Sequence, residues 1–358
     1  MWNCLNVYKL LLFLLEIDHL YKINPAKRNN LELVEADLSN RGSWETAMKG
    51  VEYIIHTASP FPQTIPKNEY NLKLPAVQGT EAIFEATLKH GVKKIVMASS
   101  IASVFTGNTH KNFFTSNDWS NLAQSPPYEK SKTLAKKKAW DIYEKNKSKI
   151  KMTIILPARL YSSKILFNQQ IKINTNIMNQ LQYISLNLKG PSFHSNDCVS
   201  SDFVLKVMKN DLPGIPKVSF ATIDVRDCAL THFSPLDQEK LELTNGKRYL
   251  LTEGTYWMYD LIQILKEEFT QKKYKFPSFT VEIKGLLNLA GCMDKQVEII
   301  KLQRRIIYDN TPTMDNMNIR FRHHRSTILE FAYDLISKGC IPNKLPKEAQ
   351  ISAEIIKS

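Results

Sequence analysis

The chain has 358 residues, 43% of them hydrophobic and 23% charged, a globular composition with enough apolar residues for one large core or two lobes. It contains no apolar run approaching the roughly 18 residues of a membrane span, and Leu10–Leu15 lacks the basic start and small-residue cleavage site of a signal peptide. The formal net charge is +13, but the lysines, as in Lys136–Lys138, are spread over helices and loops without a nucleic-acid motif, so solvated helix faces are expected and no nucleic-acid or membrane partner.

In chain order, "NLELVEADL" (Asn30–Leu38) predicts a short buried strand. "SWETAMKG" follows as a helix with Ser43 as N-cap and Gly50 just past its end. "VEYIIHTAS" is the next strand, and a helix runs from Ala76 to His90 with Gly91 as its stop. "KKIVMASS" is a strand, "PPYEKSKTLAKKKAW" a helix opened by two prolines, and "KMTIILPA" a strand. Residues 162–216 show few clear elements and read as an inserted, mobile segment. "PKVSFATIDVRDCALTHF" is a strand followed by a helix begun at Asp227, and "KRYLLT" is another strand. "WMYDLIQILKEEF" and "HRSTILEFAYDLISKG" are amphipathic helices. Strands alternating with helices predict an α/β fold, a parallel Rossmann-type sheet with helices on both faces. Residues 1–165 and 217–255 would form this larger unit, and residues 166–216 and 256–350 a smaller lobe. Ligands of such sheets bind at the carboxyl ends of the strands, which puts Asp37, His56–Ser59, Ser99, Ser100 and Pro157 on one rim.

Tyr128 and Lys132 stand at i and i+4 near the start of the proline-opened helix, on one face. An ammonium beside a phenol favours the phenolate and lowers the phenol pKa from about 10, so the pair could trade a proton near neutral pH. The same spacing is common on ordinary surface helices, and this stretch alone leaves that reading open. The five cysteines (Cys4, Cys198, Cys228, Cys292, Cys340) have no Cys-x-x-Cys spacing. They predict no metal site and no disulfide framework, and fit a reducing, cytoplasmic location.

Four stretches in this order resemble the extended short-chain dehydrogenase/reductases, in the branch of dihydroflavonol 4-reductase and cinnamoyl-CoA reductase. They are "LVEADLSNRGSWETAMKGVEYIIHTASPF", "VQGTEAIFEATLKHGVKKIVMASSIASV", "PPYEKSKTLAKKKAW" and "FATIDVRDCALTHF". The resemblance implies a dinucleotide-binding larger unit, a substrate-binding smaller lobe and reduction of a ketone or aldehyde, with NADP as cofactor and NAD possible. It makes Tyr128 the general acid, Lys132 the holder of the nicotinamide ribose, and Ser100 the donor to the substrate oxygen, with Ser99 and Ser103 as weaker candidates. It places the adenine on Asp37 and Leu38, the phosphate and ribose above His56, Thr57, Ala58 and Ser59, and the nicotinamide near Pro157. Asp224 and Asp227 are expected to be structural. The implied partner is a small carbonyl or alcohol, and the implied assembly a monomer or homodimer. A hydroxysteroid dehydrogenase or a sugar-nucleotide epimerase is the alternative within the class.

The resemblance also implies a first strand, a Gly-x-x-Gly-x-x-Gly turn and a helix, whose backbone N–H groups receive the pyrophosphate. The first glycine of this chain is Gly42, and "MWNCLNVYKLLLFLLEI" occupies the corresponding place. Two readings follow: an incomplete start of an ordinary reductase, or a non-catalytic relative that no longer binds the dinucleotide. In either case the sequence as written is expected to bind a dinucleotide weakly or not at all.

Overall fold

A computed structural model describes residues 34, 36–38, 40–57, 69–161, 199–212, 214–281 and 304–346. In chain order, the elements that position the site are α1 (Ser43–Ala47), β1 (Tyr53–His56), α2 (Tyr70–Lys89), β2 (Lys94–Ala98), α3 (Ala102–Phe105) and α4 (Pro127–Lys145). They continue with β3 (Lys151–Pro157), β4 (Arg159–Tyr161), α5 (Val199–Lys209), β5 (Ser219–Asp224) and α6 (Val225–Phe233). The series closes with β6 (Lys247–Leu251), β7 (Gly254–Trp257), α7 (Met258–Phe269) and α8 (His324–Ser337).

The central sheet has the order β1–β2–β3–β6, and every pairing in it is parallel. Parallel sheets are covered on both faces, so their strands are apolar runs rather than alternating ones. Ile54, Ile95, Val96, Ile154, Ile155 and Leu250 are accordingly all buried. The predicted Rossmann-type α/β class is what the chain adopts. A second sheet, β4–β5–β7, pairs β5 in parallel with β4 and antiparallel with β7. The buried side chains fall into two clusters: one surrounds the central sheet, and the other joins α5, α7 and α8. No helix among the described residues is long and apolar enough to cross a membrane.

Several local expectations are corrected. The strand expected over Asn30–Leu38 lies partly outside the described residues, and Asp37 makes only an isolated bridge with Asn40. Ser43 is not an N-cap: α1 follows Gly42 without a side-chain cap, while Ser43 Oγ accepts the Asp37 N–H at 2.9 Å and donates to Asn40 O at 2.7 Å. Helix α2 begins at Tyr70 rather than Ala76 and carries Pro75 inside it. Pro75 has no N–H to donate, so one ladder bond is missing there. The helix ends as expected, with Gly91 in the left-handed region at φ +67°. Within residues 162–216, where few elements are expected, Val199–Lys209 is a helix, and residues 162–198 lie outside the described part. Helix α6 begins at Val225 rather than Asp227, because Asp224 is its N-cap and accepts the Arg226 N–H at 2.8 Å.

Candidate active site

The carboxyl ends of β1, β2 and β3 form the rim expected from the sequence. His56 closes β1, opposite Met97 of β2. Beyond β2 the ladder runs on: Ser99 N–H donates to Ile155 O at 2.8 Å, and Ile101 N–H to Pro157 O at 3.1 Å. These bonds hold Ser100 beside the end of β3. Ser100 Oγ accepts the Ala102 N–H at 3.1 Å, and Ser100 O accepts the Ser103 hydroxyl at 2.7 Å. A serine hydroxyl that accepts one bond still has its proton to donate. Ser100 can therefore fasten the start of α3 and also donate to a ligand oxygen.

His56 is only 2% exposed, and its Nδ1 has no hydrogen-bond partner among the described residues. Burial, aided by the charge of Lys132, pushes its pKa down to about 3, so the imidazole is neutral. Thr57 follows the strand half-buried, while Ala58 and Ser59 lie outside the described residues.

Helix α4 starts where the prolines predict, with Pro126 extended and Pro127 as its first residue. Tyr128 and Lys132 are both half-buried, and the Lys132 ammonium stands over the Tyr128 ring, 5.6 Å from its centroid. The expected depression of the Tyr128 pKa is corrected. Burial, with the charge of Glu129, pushes it well above its ordinary value. The cation meets the face of the ring, and burial also pushes Lys132 itself down to about 8. Among the described residues no carboxylate pairs with Lys132. A polar atom without a partner (His56) and an unpaired ammonium (Lys132) fit a bound group that brings hydroxyls, such as a ribose.

One turn beyond Lys132, Lys136 is fully buried and donates to Ser103 O at 2.8 Å. Its ammonium also lies over the Trp119 ring, 4.2 Å from the centroid. Sequence reasoning placed Lys136 on a solvated face. Its position at i+8 from Tyr128, on the same stripe, was the available sign that it turns inward. The Lys136–Ser103 bond ties the Tyr128 helix to the turn that carries Ser100.

Elsewhere on the expected site, Leu38 leans on α2 at Gly79, where an added Cβ would lie 3.0 Å from Leu38 Cδ2. The close approach accounts for a glycine inside a helix. Asp224 and Asp227 are structural, as expected: Asp224 caps α6 and binds the Arg226 guanidinium, and Asp227 pairs with Arg322. The stretch where the resemblance implies the glycine turn lies outside the described residues.

The model of the 3-beta hydroxysteroid dehydrogenase/isomerase family matches residues 14–186. In fold and in its relatives the chain is similar to the extended short-chain dehydrogenase/reductases, with cinnamoyl-CoA reductase and dihydroflavonol 4-reductase among those relatives. The NADPH-dependent methylglyoxal reductase GRE2 of Saccharomyces cerevisiae is 28% identical over 64% of this chain and 64% of its own length. Cinnamoyl-CoA reductase CAD2 of Medicago truncatula is 28% identical over 70% of this chain and 69% of its own. The crystal structure of yeast Gre2 complexed with NADPH superposes with a TM-score of 0.63 at 24% identity, covering 89% of this chain and 88% of that one. At that identity the superposition speaks to the fold.

Proposed function

We propose that this chain is an NAD(P)H-dependent reductase of a ketone or aldehyde, with NADPH as the preferred cofactor. The observation that carries the reading is Tyr128 and Lys132 on one face of α4, tied through Lys136 to the turn of Ser100. The dinucleotide named for Gre2 and the carbonyl reductions named for the relatives agree with it. A bound reduced nicotinamide supplies the hydride. Lys132 and His56 would hold ribose hydroxyls, Pro157 would back the nicotinamide, and Asp37 and Leu38 would cover the adenine. Ser100 donates to the carbonyl oxygen as negative charge develops there. Tyr128, kept as the protonated phenol by burial, delivers its proton to that oxygen.

Residues 1–165 and 217–255 would hold the dinucleotide, and residues 166–216 and 256–350 the substrate. A second reading rests on the lack of any glycine before Gly42: a relative that no longer binds the dinucleotide. Calorimetry with NADPH, on this chain and on one given a strand–glycine turn–helix from a related reductase, separates the two. So does carbonyl-dependent NADPH oxidation across a panel of aldehydes, ketones, hydroxysteroids and nucleotide sugars. Binding and turnover regained with the graft support the reductase. Turnover confined to nucleotide sugars, or none by either form, overturns it.

A further inference from the structure

Away from the Tyr128 rim, three side chains converge at the start of α8. His323 is the N-cap of that helix, His324 its first residue, and Glu253 lies in the link between β6 and β7. Each offers one ligand atom, and these atoms all lie within 4.8 Å of one another. We propose that Glu253, His323 and His324 form a binding site for a late first-row divalent cation of the zinc type.

Two imidazole nitrogens and one carboxylate oxygen are a common donor set for zinc, with a fourth position left to water. In a tetrahedron with ligands about 2.0–2.2 Å from the ion, donors lie roughly 3.3–3.5 Å apart, so closure needs shifts of about 1 Å. His324 Nδ1 is already 3.6 Å from Glu253 Oε2 and, in its buried position, has no hydrogen-bond partner among the described residues.

The supporting shell is in place as well. Tyr256 donates its hydroxyl to Glu253 Oε2 at 2.7 Å, and its ring stacks on His324 with centroids 3.6 Å apart. Such outer contacts fix ligand orientation. The Glu253 N–H donates to Thr222 O at 2.8 Å, which anchors the carboxylate's backbone to β5. Glu253 and His324 share a cavity with Tyr161 and Thr222, whose buried Oη and Oγ1 also lack hydrogen-bond partners among the described residues. These oxygens could receive a metal-bound water.

The neighbouring cations are engaged elsewhere. Arg322 is paired with Asp227, Arg325 with Glu267 at 2.8 Å, and Arg305 Nε donates to Thr255 O at 3.1 Å. His323 Nδ1 now accepts the Arg325 N–H at a long 3.3 Å. A neutral imidazole has one nitrogen lone pair, so ligation by His323 would end this cap.

The test is titration of the full chain with Zn2+ by calorimetry, and with Co2+ by visible absorption. One site with a Kd on the order of micromolar is expected, with cobalt bands of a four-coordinate nitrogen–oxygen set. His323→Ser removes a ligand but keeps a capping oxygen, and Glu253→Gln removes the charge. Each should weaken the site at least about tenfold, without loss of the circular dichroism of the folded chain. Absence of binding at millimolar metal overturns the proposal. So does binding that both variants retain, or cobalt bands of thiolate ligation, which would assign the metal to cysteines. Should one variant fail to fold, the other and the cobalt spectrum still decide.

Discussion

The Lys132 ammonium stands over the aromatic face of Tyr128, 5.6 Å from the ring centroid. A cation in that place is attracted by the ring. Burial, with the charge of Glu129, is what keeps the phenol protonated. For reduction the protonated form is the useful one, because the reaction consumes a proton. Tyr128→Phe keeps the ring and its contact with Lys132 and removes only the donor. In the form given the grafted strand–glycine turn–helix, it should lower carbonyl reduction by about 10²–10⁴-fold with an almost unchanged unfolding midpoint. Near-full activity in a steady-state NADPH assay would assign the proton to another group.

Lys132 is expected to cost stability in return for function. Its pKa in the folded chain is about 8, below the ordinary 10.5. Between pH 8 and 10.5 the unfolded chain binds more protons at this site, so stability rises with pH across that window. Below pH 8 the full penalty of burying the ammonium is present. Lys132→Met should therefore raise the thermal midpoint at pH 7, flatten the rise above pH 8, and abolish reduction by the grafted form. A lowered midpoint at pH 7 would show that the ammonium is well solvated or paired.

The central sheet was readable because its strands are short apolar runs bounded by turns, as in Lys94–Ala98 and Lys151–Pro157, and buried parallel strands have no other pattern. The opening of α4 was readable from Pro126 and Pro127. The start of α2 was not, since Pro75 reads locally as a breaker while tertiary packing tolerates it. Lys136 was misread because a lysine among lysines signals a wet surface; its burial needs Ser103 O and Trp119, which only the fold supplies. The direction of the Tyr128 shift was missed for a related reason. Spacing tells that a cation is near, and neither how dry the site is nor which part of the ring the cation meets. Glu253, His323 and His324 carry no sequence signal at all, being brought together across 70 residues by β7 and α8.

Acid should unfold the chain through its buried histidines. Burial pushes the pKa of His56 to about 3 and that of His232 to about 4, both below the ordinary 6.5. Unfolding releases them to take up protons, so their stability contribution is complete above pH 6.5 and is lost as pH falls toward 4. Near pH 5 the two together should give a slope of up to about 2.7 kcal/mol per pH unit. Urea unfolding at pH 5 and pH 7 would measure it. His56→Gln and His232→Gln should each remove up to half of the slope, and a slope that survives both would trace acid lability to carboxylates instead.

The pair Asp227–Arg322 should break unequally. Asp227 is 1% exposed, whereas Arg322 keeps 32% of its side-chain surface in water. Burial works to raise the Asp227 carboxyl and outweighs the Arg322 contacts that lower it. The carboxylate also accepts the Arg322 N–H at 2.6 Å. Removing the guanidinium strands a buried carboxylate, so Arg322→Ala should cost about 3–5 kcal/mol at pH 7. Asp227→Ala leaves an arginine that can turn to solvent, and should cost less, about 1–3 kcal/mol. The gap between the two should shrink as pH falls, because a protonated Asp227 no longer needs the guanidinium. Urea denaturation of both variants at pH 7 and pH 4.5 would measure it. Equal costs at both pH values would mean that the buried charge does not set the energetics of this contact.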